Sequence, residues 1–272
     1  MKNITSKILF FAAACGLVIT FSCNSSNNSN TAANQDSLAN TDNTLAIEVT
    51  PLPHAKEFPG ATLTVSSLAS EKLGNDSAKI TIIYDVKNFN LTDQTEHDHH
   101  MANSADGQHI HFILNNAPYV ALYKPAHTFN VPINSEHYLL SFLSRSFHES
   151  IKTVDASKLI KFKVNADGKI EEQNIPTEAS LFYSRPKGDY KGDDTKAVLL
   201  DFFLVNTDIS PEGNKIKASI NGQEFVLDRW VPYQINNLPK GDALIKLSLI
   251  DKDGNALTGD NVTIERKSNI LD

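Results

Sequence analysis

The segment HIHFILNNAPYVALY at 109–123 decides the fold, because KIKASINGQEFVLDR at 215–229 repeats its pattern. In each segment an apolar run with period-two alternation passes through a short turn into a second apolar run. Such alternation, interrupted by turn residues, is typical of paired β-strands. The two segments therefore predict one structural unit that occurs twice in the chain.

Further matches flank these segments in the same order. Residues 79–88 correspond to 196–206, and residues 136–143 correspond to 242–249. Short runs rich in Val, Ile, Leu, Phe and Tyr alternate with turn residues from Leu45 onward, and no segment shows a sustained helical period. Asp-Gly or Asn-Gly turns stand at 106–107, 167–168, 221–222 and 253–254. These features predict an all-β chain with an internal repeat.

The number, length and order of the predicted strands resemble tandem immunoglobulin-like or fibronectin-type antiparallel β-sandwiches. The resemblance is architectural and covers residues 45–272, because the Cys…Trp…Cys signature of one subfamily is missing. It implies a first β-sandwich at 51–175 and a second at 176–272.

The N-terminal segment MKNITSKILFFAAACGLVITFSC at 1–23 resembles a bacterial lipoprotein signal. Its apolar run at 8–21 is too short to span a bilayer comfortably and suits a signal peptide. The resemblance implies that Cys23 carries acyl chains such as palmitate. Thr20 and Phe21 replace the usual leucine and small residue, so ordinary secretory cleavage is the alternative.

On this interpretation the signal peptide spans 1–22, and the mature protein is anchored to the outer membrane of the cell envelope, facing the periplasm. Residues 23–50 are predicted to form a disordered tether, because the segment 24–44 is dominated by Asn, Ser and Thr and cannot bury apolar surface. Lipidated Cys23 would be the only cysteine of the mature chain, so no disulfide is expected.

Composition and motifs exclude several functions. A net charge of −7 argues against a nucleic-acid partner, which would require a basic face. No G-x-S-x-G elbow, P-loop or H-E-x-x-H motif is present, and no reactive cysteine remains after the signal. The sequence therefore predicts a protein that is not an enzyme.

All nine histidines lie between His54 and His148, and five of them lie in a link that is much shorter in the second repeat or on the strand that follows it. The link at 89–108 is much longer than its counterpart at 207–213. Neutral imidazole is a common ligand of zinc and copper. The sequence therefore predicts a copper or zinc site with the following ligands: His97, His99, His100 and Met101 of the long link, and His109 and His111 of the next strand.

His109 and His111 align with Lys215 and Lys217 of the second repeat. Because lysines almost never point into a core, this alignment predicts that both histidines face solvent. Ile110, on the other face of the same strand, is then expected in the core together with Phe112 and Leu114. The alternative is an incidental, solvated group of histidines.

The remaining histidines carry weaker expectations. His127 follows the neighbouring strand and is a further candidate ligand. His137 aligns with Ala243 on a core-directed face and is expected to be a hydrogen-bonded structural histidine. His54 precedes the first strand and is expected to have no role.

A second group of polar residues is predicted near the junction between the sandwiches. Arg145, His148 and Glu149 belong to SRSFHES, and Arg185 and Lys187 belong to FYSRPKGDYKGDD. The two arginines could clamp an anion bidentately. The alternative is a structural ion-pair network between the domains.

Two functions follow. The first is an envelope lipoprotein that binds copper or zinc on the first sandwich. The second is a non-metal binding or scaffolding lipoprotein, which recognises an envelope protein, a glycan or an anionic ligand at the junction.

Overall fold

A computed structural model describes residues 45–53, 55, 57–96 and 101–272 of the chain. These residues belong to one compact unit. They are almost entirely β-structure, and their helical content is two short 3-10 turns at Val154–Ala156 and Gly192–Thr195. The all-β prediction is confirmed. The predicted signal peptide, Cys23 and most of the tether lie outside the described residues.

The first half of the unit consists of two sheets. Its strands are β2 (Thr62–Leu73), β3 (Ser77–Lys87), β4 (His109–Leu114), β5 (Val120–Leu122), β6 (Ala126–Pro132), β7 (Ser135–Ser144), β8 (Ser157–Val164) and β9 (Ile170–Gln173). One sheet has the order β2-β3-β6, and the other has the order β5-β4-β7-β8-β9. All pairs in both sheets are antiparallel.

The second half repeats this plan with one added strand from the N-terminal side. Its strands are β1 (Glu48–Pro51), β10 (Ser180–Arg185), β11 (Gly188–Tyr190), β12 (Val198–Val205), β13 (Lys215–Ile220), β14 (Gln223–Leu227), β15 (Tyr233–Asn236), β16 (Gly241–Ile250) and β17 (Thr263–Ile270). The sheet orders are β1-β15-β12-β10 and β11-β17-β16-β13-β14. Only β11 and β17 pair in parallel among the described strands.

Each half encloses its own hydrophobic core. Ile80, Ile110 and Phe162 represent the first core, and Leu200 and Ile245 represent the second. Phe112 and the partly buried Leu114 also pack in the first core, as the alternation predicts. The two cores confirm the tandem sandwich architecture.

Strand β1 corrects the boundary of the predicted tether. Residues 48–50 were expected in the tether, but they pair with β15 at the edge of a sheet of the second half. Ile47 is buried in the second core, and the Asn237 side chain donates a hydrogen bond to the carbonyl of Ala46. Residues 46–50 therefore belong to the folded second half and not to the tether.

The repeat is visible in the turns as well as in the strands. Asn115 and Asn221 follow β4 and β13, and both have positive φ. The carboxamide oxygen of Asn115 accepts from the backbone N–H of Tyr138, and that of Asn221 accepts from the N–H of Leu244. Asparagine tolerates the left-handed conformation that such turns need. Matching hydrogen bonds at matching positions show that both halves join this asparagine to the neighbouring strand, β7 or β16, in the same way.

Among the described residues, no helix is long and apolar enough to cross a membrane.

Candidate metal site

Strand β4 places two histidines on the face opposite the first core. His109 and His111 alternate with Ile110 and Phe112, so their rings leave the same side of the sheet. Both histidines have 0% exposed surface. The prediction that they face solvent is therefore wrong.

The reason is that the second half covers this face. Strand β10 turns Phe182 and Ser184 away from its own core, and Phe182 packs in a cluster with Phe142 of the first half. The Ser184 hydroxyl lies 3.1 Å from Nδ1 of His111. Lys217, the counterpart of His111, keeps a side chain that is 39% exposed, because no equivalent strand lies on it. Alignment of the repeats predicted the face of the strand correctly but could not show what covers it.

His148 joins the two strand histidines from the turn between β7 and β8. Its φ is +70°, which is uncommon for a residue with a side chain. The equivalent turn after β16 has Gly254 at this position, with φ +88°. The two turns share their hydrogen bonds. In the first turn, the N–H of Arg145 donates to the carbonyl of Glu149, and the N–H of His148 donates to the carbonyl of Arg145. In the second turn, Asp251 donates to Asn255 and Gly254 donates to Asp251 in the same way. One half thus places a histidine where the fold otherwise uses glycine.

The three rings converge on a small volume. Nε2 of His111 lies 3.0 Å from Nε2 of His109, and Nδ1 of His148 lies 3.1 Å from the same atom. One ligand nitrogen from each ring lies within 4.8 Å of the others. We call these three residues the histidine triad. No other group of this kind occurs among the described histidines, cysteines and acidic residues.

Neighbouring groups fix the orientation of the rings. Nδ1 of His109 lies 2.8 Å from the carbonyl oxygen of Gly107 and therefore donates to it, so Nε2 of the neutral ring carries the lone pair. Gly107 has φ +83°, and a Cβ there would lie 2.1 Å from the carbonyl oxygen of Thr92. Glycine is therefore required at position 107 of the predicted Asp-Gly turn, and the carbonyl of this glycine accepts the hydrogen bond from His109. A backbone carbonyl on the second ring nitrogen is a common feature of metal-ligating histidines.

Aromatic rings enclose the triad. The Tyr119 ring stacks on His111 at 3.6 Å between centroids, and its hydroxyl lies 3.2 Å from Nδ1 of His148. Tyr123 lies 5.1 Å from His109 between centroids, and Phe142 lies 5.1 Å from His111. These rings therefore shield the triad from solvent on the sides that they cover.

Burial keeps the triad neutral. It lowers the pKa of His109 to about 4, although the hydrogen bond to Gly107 acts in the opposite direction. The pKa values of His111 and His148 are also lowered, chiefly by burial, and the charges of Arg185 and Lys187 add to the effect. Neutral imidazoles are the form that binds metals.

The residues predicted at the junction divide between two places. Arg185 and Lys187 lie beside the triad, since the guanidinium carbon is 5.5 Å and the ammonium 4.2 Å from the Tyr119 ring centroid. Arg145 instead forms a buried ion pair with Glu149, with 2.9 Å from Nη1 to Oε1, and lies 5.6 Å from the Phe58 ring centroid. No described contact brings the two guanidiniums together as a clamp. His148, predicted for the junction, belongs to the triad.

The predicted ligands of the long link are not part of the triad. His97, His99 and His100 lie outside the described residues. Met101 is buried against Ala197 and Leu199 in a small apolar cluster. Its thioether was a predicted metal ligand, but its described contacts are those of a core side chain.

Two further histidines have structural contacts. His137 lies 2.9 Å from the carboxamide nitrogen of Asn115 and 2.6 Å from the hydroxyl of Ser135, as expected of a hydrogen-bonded structural histidine. His127 lies against Phe112 and Phe129, on the side of strand β4 that faces the first core. It is therefore not part of the triad.

The sequence contained a signal for His148 that was missed. Extending the ungapped alignment of 136–143 with 242–249 by a few residues places SRSFHES over IDKDGNA at 250–256, so that His148 falls on Gly254. A histidine at a glycine position of a shared turn is a departure from the scaffold. The motif SRSFHES alone predicts His148 at the junction and not among the metal ligands.

Comparisons with known proteins do not assign a family. No family model matches the chain, and no curated protein matches it. Among solved structures, the fibronectin(III)-like modules of CbhA from Clostridium thermocellum match with 11% identity and a TM-score of 0.26. That match covers 77% of this chain and 94% of the other chain. At this TM-score the likeness supports no inference, and the fold rests on the sheets themselves.

Proposed function

We propose that this protein is a copper- or zinc-binding lipoprotein of the cell envelope, which holds one ion on His109, His111 and His148. The observation that carries the proposal is the convergence of ring nitrogens from two buried histidines and a partly buried one, the last supplied from a left-handed turn position. Backbone strain of this kind persists where the surrounding structure over-determines it, and it clusters at functional sites.

Hydrogen bonding alone does not account for both short contacts at Nε2 of His109. Nε2 of neutral His109 has one lone pair, but His111 and His148 both approach it within 3.1 Å. An ion between the rings would accept all three lone pairs at once. For metal–nitrogen distances of about 2.0–2.1 Å, tetrahedral geometry separates ligand nitrogens by about 3.3 Å. The two separations at Nε2 of His109 need to grow by only a few tenths of an ångström, and the separation between the ligand nitrogens of His111 and His148 lies within 4.8 Å.

A binding role fits this site better than a catalytic one. His109 and His111 have no exposed surface, so an ion could be reached only from the side of the partly buried His148. Catalytic zinc sites instead keep an open position for water or substrate. We therefore propose retention or transfer of the metal, with the membrane reached through a lipid on Cys23.

Metal titration of the metal-free full chain tests the proposal. We expect one Cu or Zn ion per chain, and affinity reduced by more than about a hundredfold in His148→Gly, since loss of a mere second-shell partner costs about 10–100-fold. A variant with His97, His99 and His100 changed to Ala separates the long link from the triad, and His127→Ala is the matched control. Unchanged affinity in His148→Gly and in the double variant His109→Ala/His111→Ala would contradict the proposal.

A second function has one observation in its favour. A cleft of about 430 Å³ lies between the two halves and is lined by Phe58, Arg145, Lys152 and Trp230 among others. This volume suits a small ligand. Both cations are engaged within the protein, Arg145 with Glu149 and Lys152 with Asp201, so recognition of an anion here would require these pairs to open.

Trp230 gives a direct test of that second function, because it is the only tryptophan. Its fluorescence reports on the cleft alone. A saturable change with envelope glycan fragments that persists in the presence of a chelator would favour ligand binding in the cleft over metal binding. No change with glycans or with simple carboxylates would exclude those ligands.

A further inference from the structure

Two cations, the buried Arg185 and the half-buried Lys187, distinguish the surroundings of the histidine triad. Arg185 is 7% exposed, and its Nη1 donates to the Tyr190 hydroxyl at 3.0 Å. Lys187 donates to the carbonyl of Tyr119 at 2.7 Å. Among the residues that the structure describes, neither cation forms an ion pair. Both positive charges therefore act on the triad with little local compensation.

The ligand set adds no negative charge. The three candidate donors are neutral imidazoles, and no described carboxylate or thiolate joins them. A divalent ion would bring two further positive charges into a buried region that already holds Arg185 and Lys187. Burying charge without compensation is costly, and the cost rises with each added unit. A monovalent ion would halve the repulsion.

The coordination number points in the same direction. The triad offers three nitrogens, and aromatic rings occupy the neighbouring space. Structural zinc is almost always four-coordinate. Monovalent copper accepts three ligands readily, and imidazole suits copper as well as zinc, so the number of ligands rather than their type favours monovalent copper.

We propose that the triad is selective for monovalent copper, bound by three nitrogens, over zinc and divalent copper. This inference rests on the proposed function and names its metal. Arg185 and Lys187 act as selectivity residues, because they disfavour divalent ions more than monovalent ones. Both cations lie over the Tyr119 ring, and this ring in turn stacks on His111.

Competition under anaerobic conditions tests the selectivity. The full chain is titrated with Cu(I) against a colorimetric Cu(I) chelator, and with Zn(II) against a fluorescent zinc chelator. We expect Cu(I) to bind more tightly than Zn(II). Lys187→Gln should lower the ratio of Cu(I) to Zn(II) affinity about tenfold, as expected for removal of a unit charge roughly 10 Å away at an effective dielectric constant of about 20. Lys191→Gln, an exposed lysine on the same segment, is the matched control.

Each outcome separates the two proposals. Zinc that binds as tightly as Cu(I), with affinity lost in His148→Gly, would overturn the selectivity but leave the metal function standing. Binding of neither metal would overturn both. A ratio unchanged by Lys187→Gln would overturn the assigned role of the cations. Circular dichroism of each variant verifies that the fold persists.

Discussion

Replacing His148 by glycine should remove metal binding and preserve the fold. The second half already builds the same turn with Gly254, so the backbone of the variant has a precedent in this chain. Relief of the left-handed strain contributes about 1–2 kcal/mol. Loss of the contacts with Tyr119 and His109 costs about 1 kcal/mol each. We expect the free energy of unfolding of the metal-free variant to lie within about 2 kcal/mol of the wild-type value.

Metal should stabilise only the wild-type protein. An ion at a free concentration a hundred times its Kd adds about 2.7 kcal/mol to the free energy of unfolding. For a unit of this size, each kcal/mol shifts Tm by about 2–4 °C, so the expected increase is about 5–11 °C. Thermal unfolding followed by circular dichroism, with metal and then with chelator, measures this shift.

The control for this experiment is His127→Ala, which removes a histidine outside the triad and should keep the full increase in Tm. A His148→Gly protein that still gains several degrees with metal would refute the assignment of His148 as a ligand. A metal-free variant that fails to fold would refute the equivalence of the two turns.

Three further predictions follow from named groups. Metal affinity should change less than about threefold between pH 7 and pH 5.5, because the pKa of His109 is about 4 and those of His111 and His148 are also lowered, so few protons compete with the metal. Three imidazoles with ordinary pKa values near 6.5 would instead lose about a thousandfold in metal affinity. A loss of that size in a pH-dependent titration would exclude a neutral triad. Asp201→Ala should lower the free energy of unfolding by about 3–5 kcal/mol in urea denaturation, because the largely buried Lys152 ammonium loses the carboxylate that lies 2.6 Å away. A loss under about 1 kcal/mol would mean that water replaces the carboxylate. Cys23→Ser should move the protein from the membrane to the soluble envelope fraction and abolish incorporation of labelled palmitate, whereas unchanged fractionation would favour ordinary secretory cleavage.

The fold could be predicted because its signals are local. Alternation along β4 and β13, together with turn residues such as Asn221-Gly222, defines strands and hairpins without reference to distant parts of the chain. β1 was missed for the opposite reason. It is short, and it is recognisable only by its pairing with β15, far along the sequence.

The candidate site was predicted in part. His109 and His111 were singled out correctly as candidate ligands, since a two-residue spacing on a strand fixes a shared face. Their burial depends on contact between the halves through Ser184 and Phe182, which no pattern within β4 encodes. His148 required a comparison of turns as well as strands.

The pairing of β1 with β15 also bears on the order of folding. During synthesis β1 emerges first, but its partner follows about 180 residues later, or roughly 10–40 s at ordinary elongation rates. The whole first sandwich is synthesised in that interval, followed by strands β10–β14 of the second. An early segment with unpaired backbone groups is a template for incorrect pairing. Glu48 and Pro51, at the ends of β1, discourage such pairing and so protect this strand until β15 has been synthesised.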